Sequence, residues 1–150
     1  MAKFIYSMQN ILNIKERLEN QAKTEFAQKT IALNKEEDKM RKLVAKMRSY
    51  EDELRGLSGK RLNVHEMKRC HESVSIMKEH ISKQAIKIKI AERNLDVARD
   101  NLGEAVQERK VQEKLKEKEF EDFKVELNAS EMKEIDEVVS FNYNDRGTGE

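Results

Sequence analysis

The most reactive side chains in the sequence are one cysteine and three histidines, which all fall within residues 65–80: His65, Cys70, His71 and His80. Cysteine and histidine can bind a metal ion or act together as nucleophile and base. Two histidines that bind zinc from one helix are typically four residues apart, and no pair here has that spacing. Cys70 and His71 are sequence neighbours, so they point to different sides of a helix. We therefore predict no catalytic site, no metal site and no cofactor.

The composition indicates which elements carry these residues. The chain has 150 residues, of which 39% are charged and 37% hydrophobic, with no proline and one cysteine. High charge without proline is typical of long helices in a coiled coil. A single cysteine excludes an internal disulfide. No apolar run is long enough to span a membrane. Gln9 and Asn10 interrupt the apolar stretch that a secretory signal would need near the N-terminus. A net charge of +1 argues against nucleic-acid binding.

The second half of the chain has a regular heptad pattern. Twelve positions alternate in spacing between three and four residues, and eleven of them are apolar, Gln84 being the exception. This spacing predicts one continuous helix with a single apolar stripe, called here its seam. The seam residues are Met67, Cys70, Val74, Met77, Ile81, Gln84, Ile88, Ala91, Leu95, Ala98, Leu102 and Ala105.

The first half has a matching seam, and a glycine-containing break at residues 56–63 separates the two. Its regular part is Met40, Leu43, Met47, Tyr50, Leu54 and Leu57, continued upstream by Leu33, Phe26, Ala22 and Leu18 with Lys29 and Glu36 as polar interruptions. In an antiparallel pair, facing layers have a nearly constant sum of residue numbers. On that rule Met47 faces Val74, and the two polar residues Glu36 and Gln84 share one layer, which could fix the register.

These patterns predict an all-α fold, a long two-helix antiparallel coiled-coil hairpin with unequal arms. The expected bounds are about 4–56 for the first helix, 57–63 for the turn and 64–140 for the second helix. They form a single domain over residues 1–143, followed by a disordered tail at 144–150.

The end of the hairpin with both chain termini is expected to carry uncovered apolar surface. It holds six of the eight aromatic residues: Phe4, Tyr6, Phe120, Phe123, Phe141 and Tyr143. The second helix should extend past the first from about residue 117, with an apolar ridge at Met132, Ile135 and Val139. Polar residues take the seam positions beyond Ala105 and should bury poorly: Arg109, Gln112, Lys116 and Glu119. Such a helix favours a partner protein, with self-association as the alternative. Membrane binding is disfavoured because residues 112–140 hold ten acids against five lysines.

A basic run at residues 39–48 allows two interpretations. It contains Lys39, Arg41, Lys42, Lys46 and Arg48. It is either the solvated face of the coiled coil or a docking surface for an acidic partner.

Both ends of the sequence resemble the flagellar FliJ family. The opening is similar through Lys3-Phe4-x-Tyr6-x-x-Gln9-x-x-Leu12-Asn13-Ile14-Lys15, and the closing segment through Lys133-x-x-Asp136-Glu137 and Tyr143-x-x-Arg146. The length, the absence of proline and the mid-chain Gly-Leu-Ser-Gly break also fit that family.

The resemblance implies a component of bacterial flagellar type III export, built like the gamma-subunit stalk of rotary ATPases. It implies insertion into the export ATPase hexamer, promotion of its assembly and activity, and a link to the membrane export gate, with export chaperones as further partners. It also implies a chain that is cytoplasmic, located at the cytoplasmic face of the membrane through the apparatus and monomeric when free. Neither nucleic acid nor a small-molecule substrate is expected as a ligand.

Under this resemblance two sets of residues are expected to contact partners. The ATPase ring would contact Phe4, Met8, Phe120, Phe123, Leu127 and Ile135. The export gate would contact Met47, Tyr50, Leu54 and Met77, although Cys70 and Ser73 depart from the aromatic residues of many relatives. Two other functions stay open from the residues alone: a homodimeric coiled-coil scaffold, or a stalk subunit of another rotary ATPase.

Overall fold

The computed structural model describes residues 2–59 and 63–147, and in this part of the chain all regular secondary structure is helical. Helix α1 spans Gln9–Ser58 and helix α2 spans Val64–Gly147. The two helices pack antiparallel, so the predicted fold class is confirmed, including the unequal arms. No helix within these residues is long and apolar enough to cross a membrane.

The helix ends differ from the expected bounds mainly at the termini. Residues 2–6 are not helical, and α1 begins at Gln9 after a turn in which the Gln9 amide donates to the Tyr6 carbonyl at 3.2 Å. Helix α2 begins at the predicted Val64, next to Asn63, whose carbonyl accepts from the Met67 amide at 3.1 Å. It continues to Gly147 where a disordered tail was predicted from residue 144. Residues 60–62 of the predicted turn and 148–150 of the tail lie outside the described residues.

Contacts divide the chain into two compact units. The terminal unit is Met1–Glu19 with Ala105–Glu150, and the central unit is Asn20–Glu104. Each is a pair of antiparallel helical segments. The predicted single domain of residues 1–143 stays a prediction.

The central unit has a narrow core made by the two seams. All predicted seam residues of α2 up to Leu102 are buried or half-buried, and Val74, Ala91 and Ala98 are the most enclosed apolar ones. The predicted polar layer also forms. The Gln84 side-chain amide donates to the Glu36 carbonyl at 2.9 Å and to Glu36 Oε2 at 2.5 Å. Gln84 is buried and its donors are used, so this layer satisfies the polar groups that it encloses.

In the terminal unit, the expectation that polar seam residues would bury poorly holds for the exposed Glu119 but not for the others. Three α2 seam residues in it are half-buried, namely Arg109, Gln112 and Lys116. Arg109 pairs with the buried Glu19 and with Glu113, and Gln112 accepts a hydrogen bond from the buried Tyr6 hydroxyl at 3.3 Å. Lys116 donates to Gln9 Oε1 at 2.7 Å. Hydrogen bonds and charge pairing here add to apolar contacts of the same unit, where Leu12 is only 3% exposed.

The non-helical N-terminal segment shifts the register of Phe4. The sequence rule places Phe4 near Lys116, but its ring packs against Phe120 and Phe123, with centroids 5.1 and 5.5 Å apart. An extended residue advances about 3.3 Å and a helical one only about 1.5 Å, so residues 4–8 reach further along α2 than a helix would. The uncovered part of α2 therefore begins after the half-buried Leu127 and not at residue 117. We call residues 128–143 the overhang.

Candidate partner-binding surfaces

An aromatic cluster closes the packed part of the terminal unit. Phe4 meets Phe120 edge to face, Phe123 lies tilted beside it, and Lys124 Nζ lies 4.5 Å from the centroid of the Phe120 ring. Edge-to-face geometry and a cation over the ring face are both favourable arrangements of the aromatic quadrupole. The cluster therefore fixes the N-terminal segment on α2, in addition to any surface that it offers to a partner.

The six residues predicted to contact the ATPase ring fall into two groups. The aromatic cluster consists of Phe4, Phe120 and Phe123. Phe120 is 38% exposed, and the other two are half-buried. Leu127 is half-buried one turn further along α2. Met8 and Ile135 are exposed, Ile135 at 61%, and neither is part of the cluster. All six belong to the terminal unit.

A second apolar stripe on α2 was only partly recognised in the sequence. It extends the exposed Met132, Ile135 and Val139, spaced three and four residues apart, to Val125 and Tyr143. At about 100° per residue all five fall on one side of the helix, turned away from the seam. The same heptad spacing that revealed the seam could have found the whole stripe. We call it the overhang stripe.

The charge around the overhang stripe is acidic. Residues 128–143 contain Glu131, Glu134, Asp136 and Glu137 against the single base Lys133, a net charge of −3. All residues from 128 to 143 are exposed. This segment is a single helix with an apolar stripe that is bordered by acidic residues. Such a surface is complementary to one that is basic and partly apolar.

The residues predicted to contact the export gate lie along the seam of the central unit. Met47, Tyr50, Leu54 and Met77 are all half-buried. Of these, Tyr50 lines an open groove of about 610 Å³ between the helices, together with Leu57, Arg69, Cys70 and Ser73 among others. Of the four residues predicted to contact the export gate, Tyr50 is therefore the one that lines this groove.

The basic run of α1 is partly neutralised by its own helix. Arg41 pairs with Asp38 at 2.6 Å and with Glu37 at 3.9 Å, and Lys39 pairs with Glu36 at 3.6 Å. These are one-turn ion pairs of a solvated helix face, and they favour the simpler of the two interpretations of residues 39–48.

The cysteine and histidines do not come together. His65, His71 and His80 are exposed, whereas Cys70 is half-buried at its seam position with its Sγ 3.9 Å from Glu53 Oε2. Among residues 2–59 and 63–147, no group of three potential ligands is arranged to hold a metal ion.

Comparison with known proteins identifies the family. The model of the family described as flagellar FliJ protein matches residues 4–148. The chain belongs to the flagellar FliJ family. Membership makes it a component of flagellar type III export. A search of the curated proteins gave no match.

A solved structure supports the fold of this FliJ protein. A protein from Chlamydia trachomatis, described as a YscO homolog, is similar over 99% of this chain and 100% of its own. The TM-score is 0.79 at 18% sequence identity. At this identity the similarity concerns the fold, and the long two-helix arrangement is therefore shared by two distant sequences.

Proposed function

We propose that this FliJ protein inserts the end of its hairpin that carries both termini into the hexameric export ATPase, promotes assembly and activity of the ring, and links it to the export gate. Membership in the flagellar FliJ family supports the choice of the type III export apparatus as the setting of this function. The observation that carries the ring contact is the overhang stripe, an apolar surface on a helix that continues past the end of its partner helix. An uncovered amphipathic helix is a common form of protein ligand.

The mechanism follows from symmetry. A two-helix hairpin has no sixfold axis, so it cannot contact six identical subunits equally. Unequal contacts bind some subunit conformations better than others and shift their populations accordingly. The protein itself then needs no catalytic group, and we propose that it is not an enzyme. Its place would be the cytoplasm, at the cytoplasmic face of the membrane through its two partners.

The ring contact is tested by the steady-state ATPase rate of the cognate export ATPase, titrated with this protein. We expect stimulation that becomes less dependent on ATPase concentration, because the hairpin promotes ring assembly. The paired change Ile135→Ser and Val139→Ser should shift the titration to higher concentrations. The matched control, Val111→Ser with Leu115→Ser, changes exposed residues of α2 before the overhang and should act like the wild type.

The overhang is a sharper target for this test than the aromatic cluster. Replacing Phe120 or Phe123 would also release Phe4, so a loss of binding would not distinguish contact from packing. Unchanged stimulation by the Ile135 and Val139 variant would contradict the ring assignment of the stripe. Absence of any stimulation by the wild type would instead leave the scaffold alternative as the leading function.

The gate contact is tested by binding to the isolated cytoplasmic part of the gate protein. Tyr50→Ala should weaken this binding and leave ATPase stimulation unchanged, whereas Tyr143→Ala in the overhang should do the reverse. Far-ultraviolet circular dichroism checks that both variants keep their helices. The same effect of Tyr50→Ala and Tyr143→Ala on both partners would refute two separate docking regions.

A further inference from the structure

Three aliphatic residues form an exposed line on the outward face of α2 in the central unit. They are Ile86, Ile90 and Val97, which are 60%, 55% and 54% exposed. Spacings of four and seven residues keep them within about 40° of one another on the helix. The seam residues of the same segment, such as Gln84 and Ala91, are buried on the other side. Packing of the hairpin therefore does not use this line, which we call the outer α2 line.

Basic residues surround the outer α2 line. Between residues 83 and 97 the bases are Lys83, Lys87, Lys89 and Arg93 and the acids are Glu92 and Asp96, a net charge of +2. By helical position, Lys83 and Lys89 flank the line on its two sides, and Arg93 falls between Ile90 and Val97. Lys83 pairs with Glu79 at 3.4 Å, so Lys87, Lys89 and Arg93 are the bases here without an ion pair among the described residues. Isolated exposed aliphatic residues are ordinary on protein surfaces. Three in line between basic side chains form an apolar surface with a positive border, which is typical of a binding site.

A shallow groove between the helices borders this line and adds to it. The groove, of about 260 Å³, is lined by Lys29, Ala32 and Glu36 of α1 and by Lys87, Ile90, Ala91 and Asn94 of α2. Ile90 belongs to both features. The two alanines carry small side chains, so a second helix could approach closely there.

The bases of the groove are available to an acidic partner. Within the described residues, no carboxylate forms an ion pair with Lys29 or Lys87. Glu36, the one acid that lines the groove, accepts from Gln84 and pairs with Lys39. Lys87 acts on Glu36 only at longer range, without a direct ion pair. Carboxylates on an incoming chain would therefore find in Lys29 and Lys87 two cations that are free to form one.

We propose that the outer α2 line and its groove dock an acidic amphipathic helix of a partner protein. Anchors at one-turn and two-turn spacing match the aliphatic line, as in other complexes where a helix binds in a groove. The basic frame selects glutamate and aspartate beside those anchors. A membrane surface fits less well, because residues 83–97 contain no aromatic residue and offer only a short aliphatic line. This surface shares no residue with the proposed ring and gate contacts, so it goes beyond that function.

A synthetic helix tests the proposal directly. The probe is a fluorescein-labelled amphipathic peptide of about five turns, long enough to form a helix in part by itself, with leucine anchors flanked by glutamates. We expect its anisotropy to rise on titration with the full-length protein. The affinity should fall with added salt because exposed charges are screened. A second peptide with lysine in place of every glutamate should not bind.

Matched variants locate the site. Ile90→Asp should weaken binding of the acidic peptide by about tenfold or more, as expected for loss of a central anchor. Ile31→Asp is the control, because Ile31 has the same 55% exposure but lies on α1. Circular dichroism should show equal helicity for the two variants. Equal losses in both variants, or equal binding of both peptides, would overturn the proposal.

Lipid vesicles test the remaining alternative, which is that this face binds a membrane surface. Vesicles that contain phosphatidylglycerol carry the anionic surface that a basic, apolar face could also bind. We expect no co-sedimentation of the protein with them at physiological salt. Vesicle binding without peptide binding would assign the face to a membrane and overturn the protein-helix assignment, and the absence of both would show that the face binds neither.

Discussion

Gln84 and Glu36 show how one polar layer can specify a register. The buried amide of Gln84 donates both to the Glu36 backbone and to its carboxylate. The hydrogen bond from Gln84, aided by Lys39 and Lys87, lowers the pKa of Glu36 from its ordinary value of 4.5. A slip of the helices would separate the pair and leave a buried polar group unsatisfied, which is more costly than the bond is favourable.

The pH dependence of stability follows from this pKa. Because the folded-state value is lowered, ionised Glu36 stabilises the fold above pH 4.5, and this stabilisation is lost as the pH falls through the folded-state value. We expect Glu36→Gln to reduce the loss of unfolding free energy between neutral and acidic pH. Urea unfolding followed by circular dichroism at both pH values measures it. As a control, Glu79→Gln removes an exposed carboxylate outside the seam and should retain the wild-type slope.

Prediction from sequence was most successful for individual seam residues. Spacing alone gave the layer of Glu36 and Gln84, because both interrupt otherwise apolar stripes at facing positions. The same reasoning failed at Arg109, Gln112 and Lys116. Polar residues at seam positions look unsuited to burial until their partners are known, and Glu19, Tyr6 and Gln9 are identified only once the register of the terminal unit is known.

At the scale of elements, the N-terminal segment was the least predictable part. Residues 4–8 have apolar residues at helical spacing, yet residues 2–6 are not helical. The aromatic contacts of Phe4 and the burial of Tyr6 favour a conformation that reaches further along α2, and such tertiary contacts are absent from a local pattern. On the exposed face of the overhang, by contrast, heptad spacing identified Met132, Ile135 and Val139, and the same spacing extends to Tyr143.

Phe4 should contribute measurably to stability through these contacts. We expect Phe4→Ala to lower the free energy of unfolding by about 1–2 kcal/mol, less than for a fully buried phenylalanine because Phe4 is half-buried. Ile5→Ala is the matched control, since Ile5 is the next residue and is 80% exposed. Urea denaturation measures both. An equal effect of the two changes would show that the aromatic contacts contribute nothing.

Gly103 offers a stabilising change within α2. A Cβ atom added there would meet nothing within 4 Å. No described neighbour therefore comes close enough to Gly103 to require a glycine there. Gly103→Ala should raise the free energy of unfolding by about 0.5–1 kcal/mol, because alanine restricts the unfolded chain and favours a helix. Thermal unfolding should show a higher midpoint, and a lower one would indicate that the glycine is needed for another reason.

For the whole molecule, association is the property most open to test. We expect the free protein to be a monomer, since overhangs with net charge −3 repel one another when paired side by side. Sedimentation velocity at micromolar concentration should give the monomer mass for both the wild type and the Ile135→Ser, Val139→Ser variant. A dimer that the variant abolishes would support the scaffold alternative and assign the overhang stripe to self-association.

The overhang also makes the helicity of its own segment sensitive to temperature. Among the described residues, no second helix packs on residues 128–143, which are all exposed. Their helicity therefore rests on intrinsic propensity, and Asn128 and Ser130 are weak helix formers. A partner that binds this segment must restrict the conformations that the lone helix still samples, and this loss of entropy opposes binding. That entropic penalty grows on warming, because an unsupported helix melts gradually and not in one cooperative step. The affinity of the overhang for its partner is thereby tied to temperature, and substitutions that stiffen it would tighten binding without adding a contact.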